Sequence, residues 1–121
     1  GVIFSITPWN APIATPFRNI LPAVVSGNAV ILKPAPNVAG CGKLIVDLFA
    51  RSGFPEGLVS FAALSNAQAE RLLTDWRIRK LAFTGSTKAG AHLASIAGAN
   101  VKPVMLELGG SDPCLVLRDA D

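Results

Sequence analysis

The sequence predicts an α/β fold: an open, mostly parallel, doubly wound sheet with helices on both faces. Two patterns carry that expectation. Short apolar, β-prone runs alternate along the chain with stretches of helical periodicity, and Gly, Pro, Asn and Ser punctuate the joins. The runs are also apolar almost throughout rather than at every second residue, as in strands covered on both faces. Right-handed crossovers between parallel strands then give a sheet wound in two directions.

Val2 to Ile6 is the first strand and stops at Thr7-Pro8. Phe17, Ile20, Leu21 and Val24 recur on one helix face, with Pro22 set to kink that helix. Ala29 to Leu32 is the second strand, ending at Lys33-Pro34, and Cys41, Leu44, Ile45 and Leu48 mark the buried stripe of a second helix that Gly53 caps. Leu58 to Leu64 reads as the third strand, followed by a short helix with Ala69, Leu72, Leu73 and Trp76 inward. Ile78 to Phe83 is the fourth. Its end, Thr84-Gly85-Ser86, opens a helix carrying Ala89, Leu93, Ile96 and Ala97 inward, and Val104 to Leu108 and Cys114 to Leu117 complete the strands. No repeat, linker or low-complexity tract is visible.

Composition narrows the function classes. The 121 residues make about one domain; 50% are hydrophobic and 16% charged, against about 25% charged in an average soluble domain, too apolar for a disordered tail. The low charge and an apolar start without Met suggest a piece of something larger. No apolar run approaches the roughly 20 residues of a membrane helix, and no basic segment precedes the start as in a signal peptide. A cytoplasmic setting is expected. Cys41 and Cys114 stand far apart with no Cys-x-x-Cys or Cys/His cluster, so neither zinc nor a disulfide framework is expected, and both read as packed thiols. The net charge is +3; Arg71, Arg77, Arg79, Lys80 and Lys88 fall close together, but Glu70 and Asp75 interrupt them and no aromatic platform accompanies them. Nucleic acid is therefore not an expected partner.

In an open α/β sheet ligands bind beyond the carboxyl ends of the strands, so the residues after each strand are the candidates. Gly85-Ser86 at a strand-to-helix turn can offer backbone N–H groups and a helix dipole to an anion such as phosphate, although an ordinary Ser N-cap accounts for the pattern as well. Gly85 to Gly90 has P-loop spacing, but Ala91-His92 replaces Lys-Ser/Thr, which excludes a Walker site. No Gly-x-Gly-x-x-Gly occurs, so a Rossmann-like sheet here lacks the usual pyrophosphate turn. Lys33 suits a ribose or phosphate oxygen, or is a surface lysine before a turn stiffened by Pro34 and Pro36. Asn10, beside Trp9 between Pro8 and Pro12, suits an oxyanion donor or an Asx turn. Glu107 ends an apolar run; desolvation there suits a general base near neutral pH, and an edge-strand glutamate is the plain alternative. His92 borders its helix's buried stripe without an obvious partner.

The order of these signals is more specific than any one of them. Pro8-Trp9-Asn10, then Lys33-Pro34-Ala35, then Phe83-Thr84-Gly85-Ser86, then Leu106-Glu107-Leu108-Gly109-Gly110 with Pro113 following, closely resembles the aldehyde dehydrogenase superfamily over the entire chain. The wording of residues 106 to 113 looks most like the succinate-semialdehyde dehydrogenase branch. The resemblance implies NADP or NAD as cofactor, an aldehyde as substrate, and a homo-oligomer in the full-length protein. It implies a cysteine thiolate that attacks the aldehyde, an oxyanion held by Asn10, hydride transfer to the nicotinamide, and a thioester hydrolysed by water that Glu107 deprotonates. Leu108 then lines the nicotinamide side, Lys33 holds the adenosine ribose with Trp9, Pro34, Ala35 and Pro36 around it, and Gly85-Ser86 meet the pyrophosphate.

Three departures limit the transfer. The family's nucleophilic cysteine follows Glu-Leu-Gly-Gly by a longer interval than remains after Glu107, and Cys114 does not match it, so residues 1–121 are expected to be the cofactor-binding part, inactive alone, with the catalytic-cysteine domain elsewhere. Pro36 stands where many members carry a ribose-binding glutamate; without that carboxylate a 2′-phosphate meets no repulsion and Lys33 attracts it, so NADP is expected to be accepted. Ser65 to Ala69 lacks a glycine that often approaches the cofactor. The rival class is a catalytically inactive module, truncated or degenerate, that folds or associates through exposed apolar surface.

Overall fold

The alternation read from the sequence folds, in a computed structural model describing residues 1–121, as strands β1 (Val2–Thr7), β2 (Ala29–Pro34), β3 (Val59–Phe61), β4 (Ile78–Thr84) and β5 (Val104–Glu107) and helices α1 (Ala14–Val25), α2 (Ala39–Arg51), α3 (Asn66–Thr74) and α4 (Thr87–Ala99). The strands lie in the order β3-β2-β1-β4-β5 and every neighbouring pair is parallel. The chain winds one way from β1 to β3, crosses back, and winds the other way through β4 to β5. The reversal falls between β1 and β4.

The side chains divide accordingly. Ile20, Ala23, Val30, Leu32, Ile45, Phe49 and Val59 form a core between the sheet and α1 and α2. Phe4, Ile6, Ala69, Leu73, Ile78, Leu81, Phe83, Leu93 and Ala97 form a second core under α3 and α4. Phe4, Leu32, Ile45, Leu73 and Leu81 are fully buried, each contributing about 1.5–3 kcal/mol by removal from water. Strand alternation sends Phe4 and Ile6 to one face and Ile3 to the other.

Local chemistry sets the ends. Ser65 and Gln68 form a reciprocal capping box that opens α3, and the Ser86 hydroxyl accepts from Ala89 N–H at 3.3 Å to open α4. Gly53, at φ +81°, follows α2 in the left-handed conformation expected of its cap; Phe54, two residues beyond Ser52, then lays its ring 5.1 Å from that of Phe49.

Several expectations are corrected. Cys114 to Leu117 is not a strand: it lies outside the sheet, with Leu115 84% and Val116 74% exposed, and Cys114 is an exposed thiol rather than a packed one. The third strand shrinks to three residues. In α2 the buried residues are Gly42, Ile45 and Phe49, while Leu44 and Leu48 face outward; Leu21 of α1 does likewise. Trp76 lies beyond α3 and is exposed, because Asp75 leaves the helix in an extended conformation and its carboxylate binds Arg77 instead. The helix α1 carries Pro22 inside it and runs on to Val25.

Candidate functional site

A parallel sheet brings all its carboxyl ends to one rim, and here they finish nearly level: Thr7 pairs with Pro34, Ile6 with Phe83, and Thr84 with Glu107. The segments holding Asn10, Ala35, Ser86 and Leu108 therefore line one edge, with the winding reversal at its centre. The N–H of Ala35 ties the loop after β2 to Thr7 O at 3.0 Å, and that of Gly85 ties the turn after β4 to Glu107 O at 3.0 Å. The Gly85 amide is thus taken, and the amides of Ser86, Thr87 and Lys88 at the first turn of α4 are the ones outside the helical ladder.

The rim has two sides. Lys33 pairs with Ile6 and shares its face, toward α3 and α4. There a pocket of about 120 Å³ has Ile6, Phe83 and Leu93 as floor, Ala69 and Ala89 as walls, and Lys33, Asn66, Glu70 and His92 as polar lining. Lys33 is 6% exposed and has no hydrogen-bond or ionic partner in the chain; burial pushes its ammonium below the ordinary lysine range. Phe83 is held flat by two glycines, since a Cβ at Gly85 would meet its Cζ at 2.6 Å and one at Gly90 would meet both Phe83 and Leu108. Leu108 thus leans on α4.

Glu107 lies on the opposite face. Leu106 packs with the core under α3 and α4, and Met105 lines a groove of about 430 Å³ beside α1; alternation gives Glu107 the face of Met105. No helix covers β4 and β5 on that side, and Arg18, Asn19 and Lys80 line the groove. Beneath α1, Ser5, Thr7 and Asn19 form a buried polar seam: Asn19 Nδ2 donates to Ser5 Oγ at 3.0 Å, while Thr7 Oγ1 and Asn19 Oδ1 have no partner.

The desolvated Glu107 expected from the sequence is corrected here: it is exposed at the end of an edge strand, because the apolar run before it is covered on one face only. Asn10 and Trp9 are exposed on the loop after β1, and Asn10 makes no side-chain hydrogen bond in the chain. Pro34 is buried against Gly42, and Pro36 opens a single 3₁₀ turn. His92, expected to be partnerless, lies 3.0 Å from Glu70. Sequence reasoning missed Glu70, Asn66 and Arg18; the charge of Arg18 within an apolar helical stretch was a usable signal, whereas nothing local marks Glu70. No cluster of three His, Cys, Asp or Glu side chains suits a metal, and no helix is long and apolar enough to cross a membrane.

Such a rim suits an extended anionic ligand reaching from a buried cation and a helix N-terminus to a carboxylate on the far face. The chain is 43% identical over its whole length to succinate semialdehyde dehydrogenase [NAD(P)+] Sad of Escherichia coli strain K12, of which it covers 26%, and 45% identical to a probable succinate-semialdehyde dehydrogenase [NADP(+)] of Synechocystis, of which it covers 27%. All of it superposes, at TM-score 0.92 and 34% identity, on 27% of the succinic semialdehyde dehydrogenase from Streptococcus pyogenes solved in complex with NADP+. An NAD-dependent benzaldehyde dehydrogenase from Corynebacterium glutamicum gives TM-score 0.87 at 36% identity, again over the whole chain and 27% of that protein. The chain thus spans about a quarter of the length of these relatives. With residues 1–121 matching the aldehyde dehydrogenase family model throughout, the chain belongs to the aldehyde dehydrogenase family.

Proposed function

We propose that residues 1–121 are the dinucleotide-binding part of an NADP- or NAD-dependent dehydrogenase that oxidises succinate semialdehyde to the diacid. One observation carries the reading: Lys33, buried and unpaired, stands on the same rim as the free amides of α4, and both await an anion. That pairing fits a dinucleotide phosphate. The absence of a carboxylate at position 36 leaves room for a 2′-phosphate. When bound, the nicotinamide supplies a hydride acceptor.

The protein's own groups do the rest. Lys33 would hold the ribose or its phosphate, with Trp9, Pro34, Ala35 and Pro36 shaping the approach, and Gly85 and Ser86 would form the turn that meets the pyrophosphate. Leu108 would line the nicotinamide side. The Asn10 amide donates to the oxyanion that develops when a thiolate adds to the aldehyde, and Glu107 takes the proton of the hydrolytic water. Arg18, on the face of Glu107, supplies a cation for the distal carboxylate of the semialdehyde. The thiolate, and the cover that removes Glu107 from water, lie outside these residues. Exposed Leu115, Val116 and Leu117 are further surface for burial against protein, in keeping with a homo-oligomeric full-length protein. The cytoplasm suits the free thiols Cys41 and Cys114.

Calorimetric titration of NADP into the chain tests the reading: saturable binding is expected, and its absence refutes the cofactor role. Mixed with succinate semialdehyde and NADP, the chain alone is expected to produce no reduced cofactor. Turnover would show that the nucleophile lies within it.

A further inference from the structure

The amino end of the sheet, opposite the carboxyl rim, carries a groove of about 600 Å³ between the start of β4 and the loop that leads from α4 into β5. Its walls are pinned to each other, because Lys102 Nζ, from that loop, donates to Leu73 O at 2.6 Å and to Asp75 O and so caps the carboxyl end of α3. Two residues here contribute no packing to the fold. Trp76 is 79% exposed and belongs to neither core. Val101 is 91% exposed although its backbone sits at φ +52°, a strained conformation for a β-branched residue and one that glycine takes freely after a helix.

The charges are one-sided. Arg79 and Lys102 line the groove and no acidic residue does; the Arg79 guanidinium has no hydrogen-bond or ionic partner, and the Asp75 carboxylate, next to Trp76 in the chain, is engaged by Arg77. Arg79 also lines the neighbouring groove beside α1, which adds unpaired Lys80 and again holds no acid. In the sequence this basic stretch lacks an aromatic platform because helical spacing points Trp76 inward. The helix ends at Thr74, and the indole stands in the same groove wall as Arg79 instead. A free guanidinium and a bare indole in one acid-free groove suit a ligand that repeats a phosphate and a flat ring. We infer that this end of the sheet binds single-stranded nucleic acid, with a base stacked on Trp76 and the adjoining phosphate on Arg79. An acidic peptide without rings would satisfy Arg79 and leave the indole unstacked, so Trp76 separates the two classes of partner.

The two tryptophans serve as separate reporters, Trp9 after β1 at the carboxyl rim and Trp76 before β4 at the opposite end. Their indole N–H resonances are followed in ¹⁵N–¹H correlation spectra of the full chain, assigned by Trp76→Phe, while an oligodeoxythymidylate of about eight nucleotides is added at salt between about 50 and 200 mM. The Trp76 signal is expected to shift saturably and that of Trp9 to stay, with saturating NADP leaving the affinity unchanged. Trp76→Ala is expected to weaken binding about tenfold, the scale of one stacked base, and Trp76→Phe to keep most of it. Arg79→Gln is expected to weaken binding and to make the slope of log affinity against log salt shallower by about 0.7, the share of one phosphate. An unmoved Trp76 signal overturns the inference, and so does competition by NADP, which would place the oligonucleotide on the rim. Equal binding of a hexa-aspartate peptide at Trp76 overturns it in favour of an acidic protein partner, and wild-type affinity in Trp76→Ala or an unchanged salt slope in Arg79→Gln overturns it as well. Circular dichroism melts check that the variants fold; should one not, the wild-type, NADP and peptide titrations decide.

Discussion

The two faces of the sheet are made from the same five strands, yet they treat charge in opposite ways. Under α3 and α4 the helices meet across the winding reversal and leave only a small pocket, so Lys33 is largely covered and the partial desolvation disfavours its ammonium. On the other face α1 and α2 sit over β1, β2 and β3, leaving β4 and β5 bare, and Glu107 stays hydrated at the edge. One rim thus carries a largely covered cation on one face and a hydrated carboxylate on the other. The difference teaches that which helix crosses a strand end, more than the residue placed there, sets the local electrostatics.

The sharpest way to break that contrast is to empty each side in turn. Phe83→Ala removes the floor of the pocket and is expected to cost about 3–5 kcal/mol in denaturant unfolding, whereas Met105→Ala on the bare side should cost less than about 1 kcal/mol. Equal losses would mean that the two faces are equally packed.

Charge removal comes next. Lys33→Met is expected to weaken NADP binding by about tenfold or more, as loss of a charge-assisted contact implies, while leaving the unliganded protein as stable or more so. The pH dependence has a definite sign. Because the folded value for Lys33 lies below 10.5, the unfolded chain binds the extra proton between the two values, and wild-type stability should rise with pH through that window. NADP affinity should fall over the same range as the ammonium is lost, and Lys33→Met should flatten both trends. A wild-type affinity that holds until the ordinary lysine range would show Lys33 to be solvated.

The smallest effect concerns the polar seam. Thr7→Val deletes a buried hydroxyl without a partner and keeps the shape of the side chain, so a gain of about 1 kcal/mol is expected by thermal or chemical unfolding. A loss of similar size would reveal a partner for Thr7 Oγ1.

Legibility followed how local each cause was. The first, second and fourth strands were plain because each carries an apolar run closed by Pro or Gly, the first two covered on both faces and the fourth packed chiefly under α3 and α4. The apolar segment from Cys114 to Leu117 looked alike but pairs with nothing, since an apolar run states a need for cover and not what supplies it. Leu44 and Leu48 carry helical periodicity on a helix that packs on β2, β3 and, through Phe49, on Phe17 of α1, and this contact buries only Gly42, Ile45 and Phe49, a stripe narrower than the apolar one. In the candidate site, Asn10, Lys33, Ser86 and Glu107 were visible as residues at or just after strand ends. The Glu70–His92 pair was not, because its members belong to different helices and neither has a motif.

The sequence by itself determined the sheet, the order of its motifs and the family, because strand ends, caps and turn glycines act over a few residues and leave their mark in the chain. Tertiary structure alone decided that Lys33 is buried while Glu107 is wet, that Gly85 spends its amide on Glu107, and that Glu70 meets His92 across a pocket. These are contacts between segments far apart in the chain, and a residue's exposure to water is a property of whatever comes to lie over it.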